Sequence, residues 1–284
     1  MRGTMCIRSL LCGVLVLSCL APAFAQVTAS DVPDPETAIW MKLKRSLFDG
    51  RPVSAGAHGI VELAAPSRAE DGAVVPVAIR AGLAQTAGRY IRRIYLIVDN
   101  NPSPLAATFE LTVDSGWADL ETRIRIEQYS YVRAVAELSD GTLAADARFV
   151  KASGGCSAAA GSPRAAPPGR MRLAAAAGGA YNQPTRAELM ISHPNDSGLV
   201  MDQITRLYTP AYFVRSVNVS YAGKTILAAE VDFSISENPY FRFYFVPQAE
   251  GELKAQAVDT KGLSFEATLA VQRSASGVPA APPQ

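Results

Sequence analysis

The feature that most constrains this chain is a hydrophobic period of two that runs through two separate blocks and breaks once between them. In the first block Ile94, Leu96 and Val98 alternate with Tyr95 and Ile97, and Ile124 and Ile126 alternate with Arg123, Arg125 and Glu127. Val132, Ala134, Ala136 and Leu138 repeat the pattern, and Asp140-Gly141 supplies a hairpin turn in which glycine accepts a positive φ. In the second block Phe241, Phe243 and Phe245 alternate with Arg242 and Tyr244. Residues 186–192 read as the first strand of that block. Hairpins follow at 217–228, around Ala222-Gly223, and at 253–270, around Lys261-Gly262. Short strands at regular spacing, joined by such turns, predict antiparallel sandwiches. Between the blocks, residues 153–170 are Gly, Ser, Ala and Pro without periodicity, and they read as a flexible linker. The expected fold is all-β: two antiparallel sandwiches, at 34–152 and 171–273, joined by that linker. A short helix precedes the first, with Asp34 as N-cap, Pro35 at the first helical position, Trp40, Leu43 and Leu47 on one face, and Asp49-Gly50 as the stop. Residues 274–284 read as a disordered tail.

The N-terminus has the pattern of an export signal: Arg2 and Arg8, an apolar stretch at 10–20, then Ala23-Phe24-Ala25, with cleavage expected before Gln26. Residues 1–25 are therefore expected to be removed and the mature protein to be periplasmic. The stretch is short for a membrane span, so no membrane insertion is expected after cleavage. Retention as an anchor, or lipidation at Cys19, are the alternatives, and Leu17 disfavours the second. A formal charge of +1, from 27 basic and 26 acidic side chains, leaves no basic field for nucleic acid.

Signal cleavage also changes the cysteine count. Of four cysteines, Cys6, Cys12 and Cys19 leave with the leader and only Cys156 stays. A lone thiol in an oxidising compartment is buried, paired to another molecule, or chemically used. Its setting, Gly154-Gly155-Cys156-Ser157-Ala158, predicts an accessible sulfur in a mobile arm, with Gly154, Gly155 and Ser157 supplying the flexibility. A core cysteine is disfavoured by these surroundings, while an unimportant linker cysteine stays open. No sequence neighbour activates the thiol, which would then ionise near pH 8.5 or so.

His58 and His193 are the only histidines, and with one cysteine they make no zinc site, so no metal or other cofactor is expected. The run from His193 to Gly198 reads as a turn. Pairing of His193 with Cys156 for nucleophilic catalysis would need an orienting third group. Asp99-Asn100-Asn101-Pro102 and Glu237-Asn238-Pro239 read as loop geometry, and Arg92 and Arg93 as a solvated edge.

These stretches resemble a known family. Residues 40–53 (WMKLKRSLFDGRPV), 61–77, 94–111, 122–143 and 150–156 (VKASGGC) are similar to SoxY, the sulfur-binding subunit of bacterial thiosulfate-oxidising carriers. Residues 191–198 (ISHPNDSG), 209–214, 236–243 and 251–262 are similar to SoxZ. The resemblance implies immunoglobulin-like sandwiches that pair with each other, and a swinging arm whose cysteine holds cargo as a sulfur adduct; Cys156 matches that cysteine. It further implies periplasmic partners: a haem enzyme, a hydrolase and other oxidoreductases. Ser157 and Ala158 stand where the family has trailing glycines, and the arm continues into a second domain. In this the chain looks like fused SoxYZ-like carriers associated with quinoprotein dehydrogenases, which implies a partner in alcohol-type oxidation.

Three readings follow. In the first, the protein is a periplasmic covalent carrier that holds sulfur intermediates on Cys156 for partner redox enzymes and has no catalytic residues of its own. In the second it is a non-covalent accessory protein of a quinoprotein (PQQ-type) alcohol dehydrogenase, with Cys156 dispensable. The third, an enzyme using Cys156 as nucleophile, lacks an evident base.

Overall fold

The computed structural model describes residues 32–56, 59–158, 167–176 and 180–272. The leader, His58, part of the linker (159–166) and the tail lie outside the described residues.

Among the described residues the chain is all-β apart from one helix, α1 (Ala38–Phe48), and a single 3-10 turn. The helix begins later than its Asp34-Pro35 signal predicts. Thr37 is the N-cap and accepts from the Trp40 N–H at 3.0 Å, while Asp34 instead caps a local turn by accepting from the Glu36 N–H at 2.8 Å. Asp49, in the left-handed conformation, ends it. Its apolar face seats Trp40 and Phe48 against Tyr95, Ile97, Val135, Leu143 and Ala145, so the helix covers the outer face of the first block.

Eight strands precede the linker: β1 (Val53–Ala55), β2 (Val61–Ala64), β3 (Val75–Ala81), β4 (Ile91–Val98), β5 (Leu105–Leu111), β6 (Leu120–Ile124), β7 (Ser130–Leu138) and β8 (Leu143–Val150). Seven follow: β9 (Met171–Ala175), β10 (Thr185–Ile191), β11 (Val214–Tyr221), β12 (Lys224–Val231), β13 (Tyr240–Phe245), β14 (Gly251–Asp259) and β15 (Ser264–Val271). The predicted hairpins are in place; β4, β7, β11, β12, β13 and β14 run one to three residues longer than the alternation marks, β10 and β15 are shifted by one residue, and β6 ends at Ile124 instead of running on to Glu127. Strand β9 was not predicted, because its half-buried Met-Arg-Leu-Ala-Ala carries no strict alternation.

The pairing of the two halves is closer than a linker between separate sandwiches implies. A nine-stranded sheet runs β1-β8-β7-β4-β5-β12-β11-β14-β15, and a six-stranded sheet runs β2-β3-β6-β13-β10-β9. Both cross from one half to the other. Strand β5 pairs antiparallel with β12, setting Leu111 opposite Leu227 and Phe109 opposite Ala229. Strand β6 meets β13 where Glu121 pairs with Arg242, and the same carboxylate also takes Arg80. Joining sheets this way removes four open edges, those of β5, β12, β6 and β13, each a row of unpaired N–H and C=O groups. One buried cluster lies between the sheets and includes Val77, Phe109 and Ile124 from the first half with Leu189, Phe241 and Leu253 from the second. Phe109 and Phe241 meet edge to face across the seam, ring centroids 6.1 Å apart.

Candidate functional site

Cys156 sits where β6, the end of β8 and a loop of the second half converge. Past Ile124 the chain leaves β6 through Arg125-Ile126-Glu127, and the segment leaving β8 lies beside it. The Gly154 N–H donates to the Glu127 carbonyl and the Gly155 N–H to the Ile126 carbonyl, each at 2.9 Å. On the other side the Ile126 N–H donates to the Gly72 carbonyl at 2.8 Å. Glycine at 155 is a steric requirement of this docking. A Cβ there would lie 1.9 Å from the Gly72 oxygen, and Gly72 in turn leaves no room for a side chain against the Ser153 carbonyl.

The side chain of Glu127 closes the turn. Its Oε2 accepts from the Cys156 N–H at 2.8 Å and the Ser157 N–H at 3.1 Å, while Oε1 accepts from the Ser157 hydroxyl at 2.9 Å. Arg125, itself buried, donates from Nη1 to the Gly155 carbonyl at 3.0 Å and from Nη2 to the Asn195 carbonyl at 3.3 Å. Its Nε is buried without a hydrogen-bond partner. Ser197 donates its hydroxyl to the Cys156 carbonyl. Asn101 supports both arms of the clasp: it accepts from the Glu127 N–H at 2.9 Å and donates to the Arg125 carbonyl at 2.8 Å. The loop carrying Asn195 and Ser197 is braced in turn. Asn195 donates to Ile235 and accepts from the Val214 N–H, and its own N–H donates to His193 Nδ1 at 3.1 Å.

The expectation of an exposed sulfur in a mobile arm is corrected here. Cys156 is 0% exposed, and Gly154, Gly155 and Ser157 are held by the bonds just described. The physical reason is that the small residues which allow mobility also allow backbone to approach backbone, and here a partner surface exists. Burial, aided by the charge of Glu127 and opposed by Arg125, pushes the Cys156 thiol up to about 12. Burial pushes the Arg125 guanidinium down from its usual range, opposed by Cys156 and the nearby acids Glu237, Asp196 and Asp71. At neutral pH the closed thiol is therefore protonated, with less than about one part in ten thousand as thiolate.

His193 does not act on the sulfur. It is buried, with Nδ1 taken by Asn195 and Nε2 facing Asp259 at 3.7 Å, and burial lowers its basicity. Its part is to hold the loop that reaches Cys156. Asp99 lies away from the site, in a buried ion pair with Arg133 at 2.6 Å. Sequence reasoning missed Arg125, Glu127, Asn101 and Gly72. The period-two pattern placed Arg125 and Glu127 among solvent-facing positions. Asn101-Pro102 reads in sequence as loop geometry, and only the fold shows the Asn101 amide buried and bonded at both ends.

Removing the Glu127 carboxylate tests the clasp. Glu127→Ala should speed alkylation of Cys156 about fiftyfold at pH 8, since hydrogen bonds to charged groups contribute roughly 1.5–3 kcal/mol. Timed iodoacetamide labelling followed by mass spectrometry reads this directly, and an unchanged rate would show that Glu127 does not hold the segment.

Fold and site define an all-β protein of two fused sandwiches organised around one docked thiol, which is the only cysteine among the described residues. The sequence comparisons give the family. Residues 44–156 match the sulfur oxidation protein SoxY, and residues 171–270 match the sulphur oxidation protein SoxZ. The chain belongs to the SoxY and SoxZ families in tandem, as a fused SoxYZ-like protein. None of the curated proteins matches it. Among solved structures it is similar to the sulfur carrier protein SoxY from Chlorobium limicola f thiosulfatophilum, at 22% identity and a TM-score of 0.33, over 40% of this chain and 96% of that one. It is also similar to a superoxide reductase (neelaredoxin) from Ignicoccus hospitalis, at 14% identity and a TM-score of 0.30, over 33% and 79%. Fibronectin(III)-like modules of Clostridium thermocellum CbhA match at 13% identity and a TM-score of 0.23, over 74% and 92%.

Proposed function

We propose that this protein is an exported, periplasmic carrier that holds sulfur-containing intermediates covalently on Cys156 and presents them to partner redox enzymes. The observation that carries this reading is that the SoxY match ends on Cys156, which lies in a segment held by hydrogen bonds and belonging to no strand. Such a segment can be released without breaking either sheet. The closed state does no chemistry, because its sulfur is covered and protonated. Loading therefore requires the clasp of Arg125, Glu127 and Ser197 to open, after which the thiol ionises near its ordinary value of about 8.5. The partner supplies both the opening and the redox equivalents. In the mature protein Cys156 has no second cysteine with which to close an internal disulfide.

Intact-mass analysis of the protein isolated from its native host during active turnover should show a sulfur-bearing adduct that is absent from Cys156→Ser. A bare thiol throughout turnover would overturn the carrier reading. The closed thiol also favours a second reading, a non-covalent accessory protein of a periplasmic quinoprotein (PQQ-type) alcohol dehydrogenase. Full pathway activity with Cys156→Ser, together with its loss on deletion of the whole protein, would establish that reading in place of the first.

A further inference from the structure

The most exposed large apolar side chains among the described residues are gathered on one hairpin: Ile204 at 93%, Leu207 at 69% and Tyr208 at 59%. Single exposed apolar residues are ordinary on a protein surface, but three within five positions of one turn are not. The turn is also built to hold its shape. Met201 and Tyr208 form an antiparallel bridge, the Asp202 N–H donates to the Leu207 carbonyl at 2.9 Å, and the Thr209 N–H to the Val200 carbonyl at 2.8 Å. The Asp202 carboxylate accepts from the Thr205 N–H at 2.7 Å and the Ile204 N–H at 2.9 Å, which holds its pKa below the usual carboxylate range. A preformed apolar tip pays little ordering entropy when it docks.

Its place in the chain says what it meets. The hairpin continues directly from Ser197, whose hydroxyl donates to the Cys156 carbonyl and accepts from the Leu199 N–H at 3.2 Å. Each of the three loops that touch the Cys156 segment puts a large apolar side chain on the surface within two residues of its contact. Leu199 follows Ser197, Tyr129 follows Glu127, and Val74 follows Gly72, all three exposed. Exposed apolar groups thus lie within two residues of each of these contacts with the thiol segment, Gly72 meeting it by close packing and Glu127 and Ser197 by hydrogen bonds, and the loop of Ser197 extends outward as the hairpin.

Resting on the carrier reading above, we infer that the hairpin at 199–208, with the Tyr129 and Val74 rim, is the docking surface for the enzyme that acts on Cys156. That enzyme has to cover residues 153–157 to reach the sulfur, so its footprint includes this rim. With a formal charge of +1 for the full sequence, and −1 once Arg2 and Arg8 leave with the expected leader, the carrier has little long-range attraction to offer, and apolar anchors have to supply the contact. The partner surface that fits is an apolar cleft beside a redox centre, wide enough for an aliphatic pair and a tyrosine. Docking is linked to opening, because displacing Leu199 draws on the same Ser197 hydroxyl that pins the Cys156 carbonyl.

The test expresses the full chain carrying Ile204→Asp and Leu207→Asp in the native host and measures the fraction of Cys156 bearing an adduct during turnover. Occupancy is expected to form about thirtyfold more slowly than in wild type, the effect of losing one strong interface anchor or more. Thermal melting and alkylation of Cys156 by iodoacetamide should stay as in wild type, since both side chains point to solvent. The single variant Ile204→Ser, at the most exposed site, serves if the double variant melts early. Wild-type loading with an intact fold overturns the docking assignment while leaving the carrier reading in place. Absence of any adduct on the wild-type protein removes the carrier reading and this inference with it. Conversion of a dimer to a monomer by light scattering, with loading unchanged, would show the tip to be a contact between copies of this chain and would also overturn it.

Discussion

Gly155→Ala is expected to convert Cys156 from a closed thiol to an open one, with the largest change in reactivity of any single methyl group in the protein. The added carbon would stand 1.9 Å from the Gly72 oxygen, 2.3 Å from its carbonyl carbon and 2.8 Å from the Ile126 nitrogen. All three are backbone atoms between paired segments, so the docked segment has to leave. Once free, the thiol falls from about 12 to about 8.5, and its thiolate fraction at neutral pH rises on the order of a thousandfold. The pH dependence carries the sign. Because the docked value lies above the free one, docking is fully favoured below about pH 8.5 and is lost progressively as pH climbs toward 12. Iodoacetamide rates should climb steadily between pH 7 and 10 in wild type and level off above about 8.5 in the variant. Gly154→Ala is the internal comparison. Gly154 has open space around it but a φ of 73°, so alanine there costs only the left-handed conformation, about 1 kcal/mol, and speeds labelling by about tenfold at most. Equal effects at the two positions would contradict a docking held by steric fit at 155.

Phe241→Ala is expected to lower the stability of the whole molecule, both halves together. Phe241 is buried in the second half, and its ring meets Phe109 of the first. Truncating a buried phenylalanine costs about 3–5 kcal/mol. In a chain of this size that corresponds to a melting shift of about 10 °C. The two sheets and the core cross the seam, so calorimetry should show one transition before and after the change, displaced as a unit. Two transitions, of which only the second-half one moves, would mean that the sandwiches unfold independently in spite of the shared sheets.

Much of this molecule is legible in its residues. Alternation at Ile94–Val98 and Phe241–Phe245 marks strands because a pleated chain sends successive side chains to opposite faces, and turns such as Asp140-Gly141 need only local geometry. The same logic fails at Arg125. Its neighbours Ile124 and Ile126 point inward as the period requires, yet Arg125 is also buried, because Asn195 of the other half and the Gly155 backbone cover its outer side. A period of two describes one strand's faces and says nothing of a second body laid against them. His193 shows the converse. Its run of turn formers makes an irregular loop, bridged at Asp196 to Tyr212, where the residues predict a turn, and that loop brings Ser197 to Cys156, 41 positions away in sequence.

The residues by themselves determined an all-β chain in two halves, and singled out Cys156 as the one cysteine outside the expected leader. Only the tertiary structure decided that this thiol is shut in. Gly154-Gly155 is compatible with a free arm and with a tightly docked one, since glycine lowers the steric cost of both. The choice between them is made by Arg125, Glu127 and Ser197, which hydrogen-bond to the segment, with Gly72 fitting against Gly155 and Asn101 bracing Arg125 and Glu127; of these only Ser197 reaches across from the second half.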